Sequence, residues 1–471
     1  MEFVGRSVEL AWLERELDLV RRGGSRHGRC VLLRGRRRVG KSRLVEAFIE
    51  RAGVPSVYFT AAGITPVAER VDFVREVLAS DLPGRELFDG VQLDSWDAAL
   101  RVLSAAVPDD GPSIVVLDEV PYLTAAETGF EGILQRVWDR VLVRRPVLLI
   151  LIGSDLSMMA ALNEHGRPFH QRGTPMVLDP LTPADVADLL GGTAAEAVDS
   201  YLITGGLPLL CADWEPGTTR RDFLRIALSA PTSALVVSAE LSLAAECPAE
   251  ANPRTVLTAI GAGERTFTAI QRASGLPGAS LARSLDMLTR KTIVAADRPL
   301  STVASKETRY RIDDPYLRFW LFFLGPRTSE IDRGRGDRVL ERIERGWTSW
   351  RGRAVEPVVR QALRRQPPDT GTASFSDVVG GYWTRTNDVE IDLVGADRAP
   401  VAQRIGFVGS ITWHDERPFD ARDLADLIVA RDRVPGADRT TPLVVVSRVP
   451  ASVDGPAVSY GPEDLLRAWR S

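Results

Sequence analysis

Lysine is nearly missing from this chain. Of 59 basic residues in a length of 471, only Lys41, Lys291 and Lys306 are lysine, and the others are arginine. Together with abundant Ala, Gly and Val, that bias reads as codon usage in a GC-rich genome, so an arginine patch taken alone carries little information. Cysteine is as scarce: Cys30, Cys211 and Cys247 are scattered along the chain, which excludes a regularly spaced thiolate metal site and a disulfide framework. Long apolar runs are absent too. The longest, at 147–152 and 319–324, are far too short to span a bilayer. Met1-Glu2-Phe3-Val4-Gly5-Arg6 has no basic stretch leading into an apolar core, so no signal peptide is expected. These absences lead to the expectation of a cytoplasmic protein with no membrane partner. A formal net charge of −4 leaves no global basic field to draw the whole molecule onto nucleic acid. Apolar and charged fractions of 44% and 26% are ordinary for a globular protein, and the length suggests roughly three domains.

The informative lysine is the first. Residues 30–33 are a short apolar run that reads as a buried strand, with Cys30 as a small hydrophobe inside it. The run feeds Gly35-Arg36-Arg37-Arg38-Val39-Gly40-Lys41-Ser42, and Arg43-Leu44-Val45-Glu46-Ala47-Phe48 continues with helical spacing. Strand, glycine loop, helix is the order that a phosphate-binding P-loop requires. The glycines let successive N–H groups of residues 35–43 face phosphate oxygens, and the helix N-terminus adds its partial positive charge. Lys41 is expected to neutralise the β- and γ-phosphates and Ser42 to ligate Mg²⁺. In a chain that writes almost every basic position as Arg, a Lys here fits a site that needs a compact ammonium rather than a planar fork.

The second half of such a site follows. Ser113-Ile114-Val115-Val116-Leu117-Asp118-Glu119 is an apolar strand ending in two acids. Asp118 is placed to hold the metal's hydration shell, and Glu119 to orient and deprotonate the attacking water. Residues 146–153 give another buried strand, and Ser154 at its end either senses the γ-phosphate or, with Asp155, caps a helix. Arg167 and Arg172 lie in the loop before an expected fifth strand at 177–181. Either could supply transition-state charge in cis or to a neighbouring subunit, or be an ordinary solvated loop arginine. Helices are expected at 8–21, 66–80 and 96–107, and a second strand at 56–60.

The remainder divides by pattern. Residues 182–250 alternate helical stretches with Thr204-Gly205-Gly206-Leu207-Pro208 and read as a helical lid. Residues 251–325 contain a winged helix-turn-helix pattern: helices around 256–260 and from 266, a turn at 275–278, a third helix at 280–289, and wing strands at 293–294 and 310–312. From residue 254 to 311 there are ten basic and four acidic residues. Arg283, Arg290 and Lys291 on or just beyond the third helix form a DNA-facing candidate surface; a packing or oligomerisation unit is the competing reading. The aromatic run from Asp313 to Leu324 reads as an apolar helix packed between domains.

In this order the motifs resemble the archaeal-type ATPase family, P-loop proteins related to the STAND and AAA+ groups. The resemblance rests on Phe3-Val4-Gly5-Arg6, residues 35–42, Leu117-Asp118-Glu119 with Pro121-Tyr122-Leu123, Gly153-Ser154, Gly166-Arg167, Gly205-Gly206-Leu207-Pro208, and Asp314-Pro315-Tyr316-Leu317-Arg318-Phe319-Trp320. It implies an α/β fold: a P-loop NTPase core with an AAA+-like parallel sheet at 1–181, a helical lid at 182–250, the winged helix and aromatic helix at 251–325, and a PD-(D/E)XK nuclease-like domain at 326–471. It also implies that Gly5 and Arg6 lie near the adenine and that Pro208 touches the nucleotide. In the nuclease-like pattern the first helix, 350–364, carries Glu356, and the strand at 390–394 bears Asp392. The next strand would end in Gly-Glu-x-Lys-Trp, but here it reads Gly409-Ser410-Ile411-Thr412-Trp413. Ser410 and Thr412 supply neither the second carboxylate nor the lysine, so a domain that no longer cuts is expected. The whole implies Mg²⁺-dependent ATP hydrolysis driving a conformational switch, relayed to double-stranded DNA, a protein partner or a second copy of the chain. The alternatives are a DNA-binding regulator that acts by nucleotide occupancy with negligible turnover, and an ATP-regulated nuclease.

Overall fold

The computed structural model describes residues 5–23, 28–247, 251–366, 376–452 and 457–470, so Phe3 and Val4 lie outside the described residues. The chain forms two compact units, Met1–Pro180 and Leu181–Ser471.

In the first unit five strands form a parallel sheet covered by helices, the central ones being apolar runs of β-branched residues and leucine buried on both faces and the two edge ones partly exposed. They are β1 (Arg29–Arg34), β2 (Ser56–Thr60), β3 (Ser113–Asp118), β4 (Val147–Gly153) and β5 (Thr174–Val177), all parallel, in the order β2-β3-β4-β1-β5. Every residue of β3 and β4 is buried. Helices Ser7–Arg22, Pro66–Ala79 and Trp96–Ala106 fall within a residue of their expected bounds. Beside β2, Phe59, Phe73, Phe88, Trp96 and Phe130 pack edge-on or tilted at centroid separations of 5.3–6.0 Å, a geometry that adds to their area burial.

The fifth strand is a correction. It begins at Thr174 rather than 177, and only the Leu178 N–H continues the ladder, to the Arg34 carbonyl at 2.8 Å. Two further residues on stands Pro180, which has no N–H to donate. At the other end, exposed Thr174 and Pro175 hid an edge strand from an apolar-run reading.

The second unit opens with helices Pro183–Leu190, Ala194–Thr204, Pro208–Ala212, Arg220–Ser229 and Ala234–Glu246. Three more helices, Ala251–Gly261, Phe267–Ser274 and Gly278–Arg290, precede an antiparallel ribbon of β6 (Val294–Asp297) and β7 (Arg309–Ile312). Thr266 caps the second of these helices through its hydroxyl, and Gly275 at φ 67° ends it. The aromatic run lies inside this unit as helix Pro315–Phe319 and a π-helical turn, Trp320–Leu324. The Tyr316 hydroxyl donates to the Leu235 carbonyl at 2.8 Å and accepts from the Ala239 N–H at 2.9 Å, and Trp320 Nε1 donates to the Val236 carbonyl at 2.7 Å.

The C-terminal sheet has the order β12-β11-β10-β9-β8, with β8 (Val378–Trp383), β9 (Glu390–Ala396), β10 (Ile405–Thr412), β11 (Leu443–Ser447) and β12 (Ala457–Tyr460). β8, β9 and β10 are antiparallel neighbours; β10, β11 and β12 are parallel. The helix expected at 350–364 is two helices, Gly336–Ala354 and Glu356–Arg365. Pro357 explains the break, being tolerated in the first turn of a helix and not in its interior. Among the described residues no single helix is long and apolar enough to cross a membrane.

One buried ionic group ties this unit together. Arg351, 1% exposed, reaches Asp199 and Asp415 at 2.9 Å each and the Trp413 carbonyl at 3.2 Å. Arg448 bonds the same two carboxylates at 3.1 Å each. Removing one member would strand buried charge, which costs about 3–5 kcal/mol. Arg351→Ala is therefore expected to lower the stability of this unit by about that amount, read as a drop in denaturation midpoint, whereas Arg342→Ala, in a surface pair with Glu330, should change it by under about 1 kcal/mol.

Candidate functional site

The glycine loop turns between β1 and helix Lys41–Ala52. A Cβ on Gly35 would stand 2.5 Å from the Leu178 carbonyl oxygen and 3.0 Å from Val39 Cγ2, so no other residue fits there without movement. Gly40, at φ 90°, takes the left-handed turn into the helix. Inside the loop the Lys41 Nζ donates to the carbonyls of Gly35 at 2.9 Å and Arg36 at 3.1 Å. Burial lowers the Lys41 pKa, opposed by the Glu119 and Asp118 charges and assisted by the Arg37 guanidinium. An ammonium held by two carbonyls at the turn into a helix N-terminus offers its positive charge to an anion.

β4 lies between β1 and β3, so the ends of these three strands bring loop, acids and Ser154 together. Asp118, 4% exposed, has three donors: Ser42 Oγ at 2.9 Å and the Tyr58 hydroxyl at 2.7 Å on Oδ2, and the Glu119 N–H at 2.8 Å on Oδ1. Burial, then the Asp118 charge, push the Tyr58 phenol up, so it stays a donor. Nothing in the apolar pattern of β2 singled Tyr58 out; its partner became visible only with the strand pairing. Ser42 and Asp118 present adjacent oxygen ligands of the kind Mg²⁺ takes, so the residues present fit that ion.

Glu119 has φ 55° and ψ 44°, a left-handed conformation that costs a non-glycine residue about 1–2 kcal/mol. Such strain concentrates at functional positions. Its Oε2 accepts from Ser154 Oγ at 3.0 Å. Asp155 caps helix Leu156–Ala161 through its own carboxylate, accepting from the Met158 N–H at 2.9 Å, which leaves Ser154 to face the acid.

Arg6 is buried; its guanidinium donates to the Val39 carbonyl at 3.2 Å and the Asp179 carbonyl at 2.5 Å, and pairs with Glu9 at 3.0 Å. It braces the loop from behind. Arg37 is exposed and donates to the Tyr122 hydroxyl at 3.3 Å. Arg43 is also exposed and pairs with Glu46 at 3.2 Å. Arg167 is ion-paired with Glu131, and Arg172 with Asp139 at 2.8 Å, so each already has a carboxylate partner. Pro208 opens a short helix in the second unit.

In the second unit, Arg283 donates to Ser280 Oγ at 3.4 Å and Arg290 pairs with Asp286, both on the exposed side of helix Gly278–Arg290. Glu356 is paired with Arg360 at 3.0 Å, and the same guanidinium donates to the Asp392 carbonyl at 2.9 Å. Asp392 Oδ2 accepts from the Ile411 N–H at 2.9 Å and Ser410 Oγ at 3.2 Å. Burial and then the Glu356 charge push its carboxyl up to about 6, against those hydrogen bonds and Arg360. Thr412 ends β10, buried. Among the described residues no group of three or more His, Cys, Asp or Glu side chains is arranged to hold a metal ion.

A family profile described as "Archaea bacterial proteins of unknown function" matches residues 320–421. Along its length the chain is similar to an uncharacterized protein of Methanocaldococcus jannaschii, 22% identical over 445 residues and covering 93% of each chain. A shorter uncharacterized protein of the same organism is 30% identical over 99 residues, 21% of this chain and 88% of that one. Among solved structures, the Walker-type ATPase PABY2304 of Pyrococcus abyssi matches with a TM-score of 0.47 at 18% identity, covering 68% of this chain and 96% of that one. With a phosphate loop and its acidic partner at the front and the matched segment behind, the chain belongs to the archaeal P-loop ATPase family.

Proposed function

We propose that the first unit binds ATP with Mg²⁺ and hydrolyses it, and that the second unit passes the bound state to DNA or to a protein partner. The observation that carries this reading is the convergence of Lys41, Ser42, Asp118, Glu119 and Ser154 at the ends of β1, β3 and β4. Lys41 and the loop N–H groups of residues 35–43 grip the β- and γ-phosphates. Ser42 and Asp118 would hold the metal, which when bound would offset the negative charge of the phosphates. Glu119 takes a proton from water as its oxygen bonds the γ-phosphorus. The bond from that phosphorus to the β,γ-bridging oxygen breaks with its electron pair, leaving ADP and phosphate. Ser154, bonded to Glu119 before the reaction, is the group poised to respond to the γ-phosphate.

The second unit is read as a lid at 182–250, in which Pro208 answers to the nucleotide, a winged helix at 251–325 and a nuclease-like domain at 326–471. The three-helix-and-ribbon order and the exposed face of Arg283 and Arg290, with Lys291 after it, support a DNA contact. The nuclease-like domain is read as non-cutting: Arg360 and Ser410 engage the two acids that would otherwise ligate metal. ATPase activity titrated with double-stranded and single-stranded DNA tests the relay. Stimulation or repression by double-stranded DNA, lost on Arg283→Ala/Arg290→Ala, is the expected result. Turnover indifferent to DNA would remove DNA as the partner and leave a protein.

A further inference from the structure

Phosphoryl transfer in such sites depends on a cation that meets charge building on the γ-phosphoryl oxygens and the bridging oxygen. The loop arginines that sequence order points to do not have a free guanidinium: Arg167 is paired with Glu131 and Arg172 with Asp139. Another arginine stands closer to the chemistry. Arg37 sits at the crest of the glycine loop, exposed, four residues before Lys41. Its guanidinium donates to the Tyr122 hydroxyl at 3.3 Å, and no carboxylate pairs with it among the described residues. Tyr122 lies on helix Val120–Ala126, three residues after Glu119. Its ring lies against Gly63, where a Cβ would come within 3.4 Å of it. Arg37 therefore spans from the phosphate loop to the helix that directly follows the general base. It is near enough for its charge to be felt by the Lys41 ammonium, the group that grips the β- and γ-phosphates.

We infer that Arg37 is a further catalytic residue, an arginine supplied in cis by the phosphate loop itself to the γ-phosphoryl group as it leaves ADP, with Tyr122 as its positioning residue. This rests on the proposed ATPase reading. Two like charges beside one another at Lys41 and Arg37 are unfavourable in the empty loop and become favourable when a polyanion sits between them, most of all when negative charge moves onto the bridging oxygen. The tyrosine hydroxyl is a neutral acceptor, so it orients the guanidinium without neutralising it. A carboxylate there, such as those holding Arg167 and Arg172, would cancel the charge the reaction needs.

The test compares ground-state and transition-state binding. Arg37→Ala is expected to lower kcat by about 100-fold or more, to weaken a non-hydrolysable ATP analogue by no more than about threefold, and to weaken ADP–aluminium fluoride in step with kcat. Tyr122→Phe should lower kcat by about tenfold in the parent and by nothing further in the Arg37→Ala background, the pattern of a group acting through the arginine. Arg37→Ala with parental kcat overturns the inference, as does a loss of the ATP analogue equal to the loss of ADP–aluminium fluoride, which would make Arg37 a simple phosphate grip. A Glu119→Gln control separates the two levels. If Glu119→Gln stops turnover and Arg37→Ala does not, only the inference fails; if neither affects it, the assignment of the general base fails with it.

Discussion

Lys41→Ala is expected to abolish tight ATP binding, with affinity falling about 100-fold or more. Nζ is the one ammonium within the glycine loop, donating to the Gly35 and Arg36 carbonyls at 2.9 and 3.1 Å. On binding, those contacts give way to phosphate oxygens, and a charge-assisted hydrogen bond of about 3 kcal/mol corresponds to roughly a hundredfold in affinity. The informative companion is Lys41→Arg. The chain uses arginine almost everywhere else, yet a planar guanidinium is larger than an ammonium and points its donors in fixed directions. The residue is buried, and a Cβ on Gly35 would already meet the Leu178 carbonyl, so the loop around it is closely packed. Lys41→Arg is expected to bind ATP nearly as poorly as Lys41→Ala. Equilibrium titration with a fluorescent ATP analogue reads both, with the denaturation midpoint confirming that each variant is folded. Affinity retained in Lys41→Ala would mean that the nucleotide is held elsewhere.

Glu119→Gln is expected to do the opposite: ATP binding is kept and turnover falls by about 10²- to 10⁴-fold. The amide keeps the size and the hydrogen-bonding reach of the acid but cannot accept a proton from water. Asp118, with its three donors from Ser42, Tyr58 and the Glu119 backbone, is untouched by the change, so the metal ligands stay in place. The left-handed backbone at Glu119 is a property of the turn between β3 and the next helix and is equally open to Gln. Titration calorimetry for binding and phosphate release for turnover separate the two effects. If Glu119→Gln hydrolyses ATP as fast as the parent, the general base is another residue.

The phosphate loop and its acids are legible in the sequence because each part is local. A strand, a glycine pattern and a helix follow one another over a few residues, and an apolar strand ending in Asp118-Glu119 declares itself by its own composition. The strand order is not local, yet the candidate site is, since each of its parts follows the end of its own apolar run. What escaped sequence reading are pairwise meetings across the fold. Tyr58 is one aromatic residue in a strand until β2 is laid beside β3 and its hydroxyl falls on Asp118. Arg37 is one of three consecutive arginines until Tyr122 arrives beside it. Ser154 and Asp155 are equally good helix caps on paper; geometry assigns the cap to Asp155 and leaves Ser154 to Glu119. Arg351 is the clearest case. Its neighbours Asp199, Asp415 and Arg448 come from distant stretches, and no periodicity connects them. β5 was missed at its start because an edge strand with exposed Thr174 and Pro175 lacks the apolar signature of the central strands.

The most direct measurement is a single turnover of ATP bound to stoichiometric protein with Mg²⁺ present. The parent is expected to convert bound ATP to ADP and phosphate, and Glu119→Gln to hold ATP intact over the same interval. Recovery of unhydrolysed ATP from the parent after many minutes would contradict hydrolysis at this site and favour a regulator that acts by nucleotide occupancy alone.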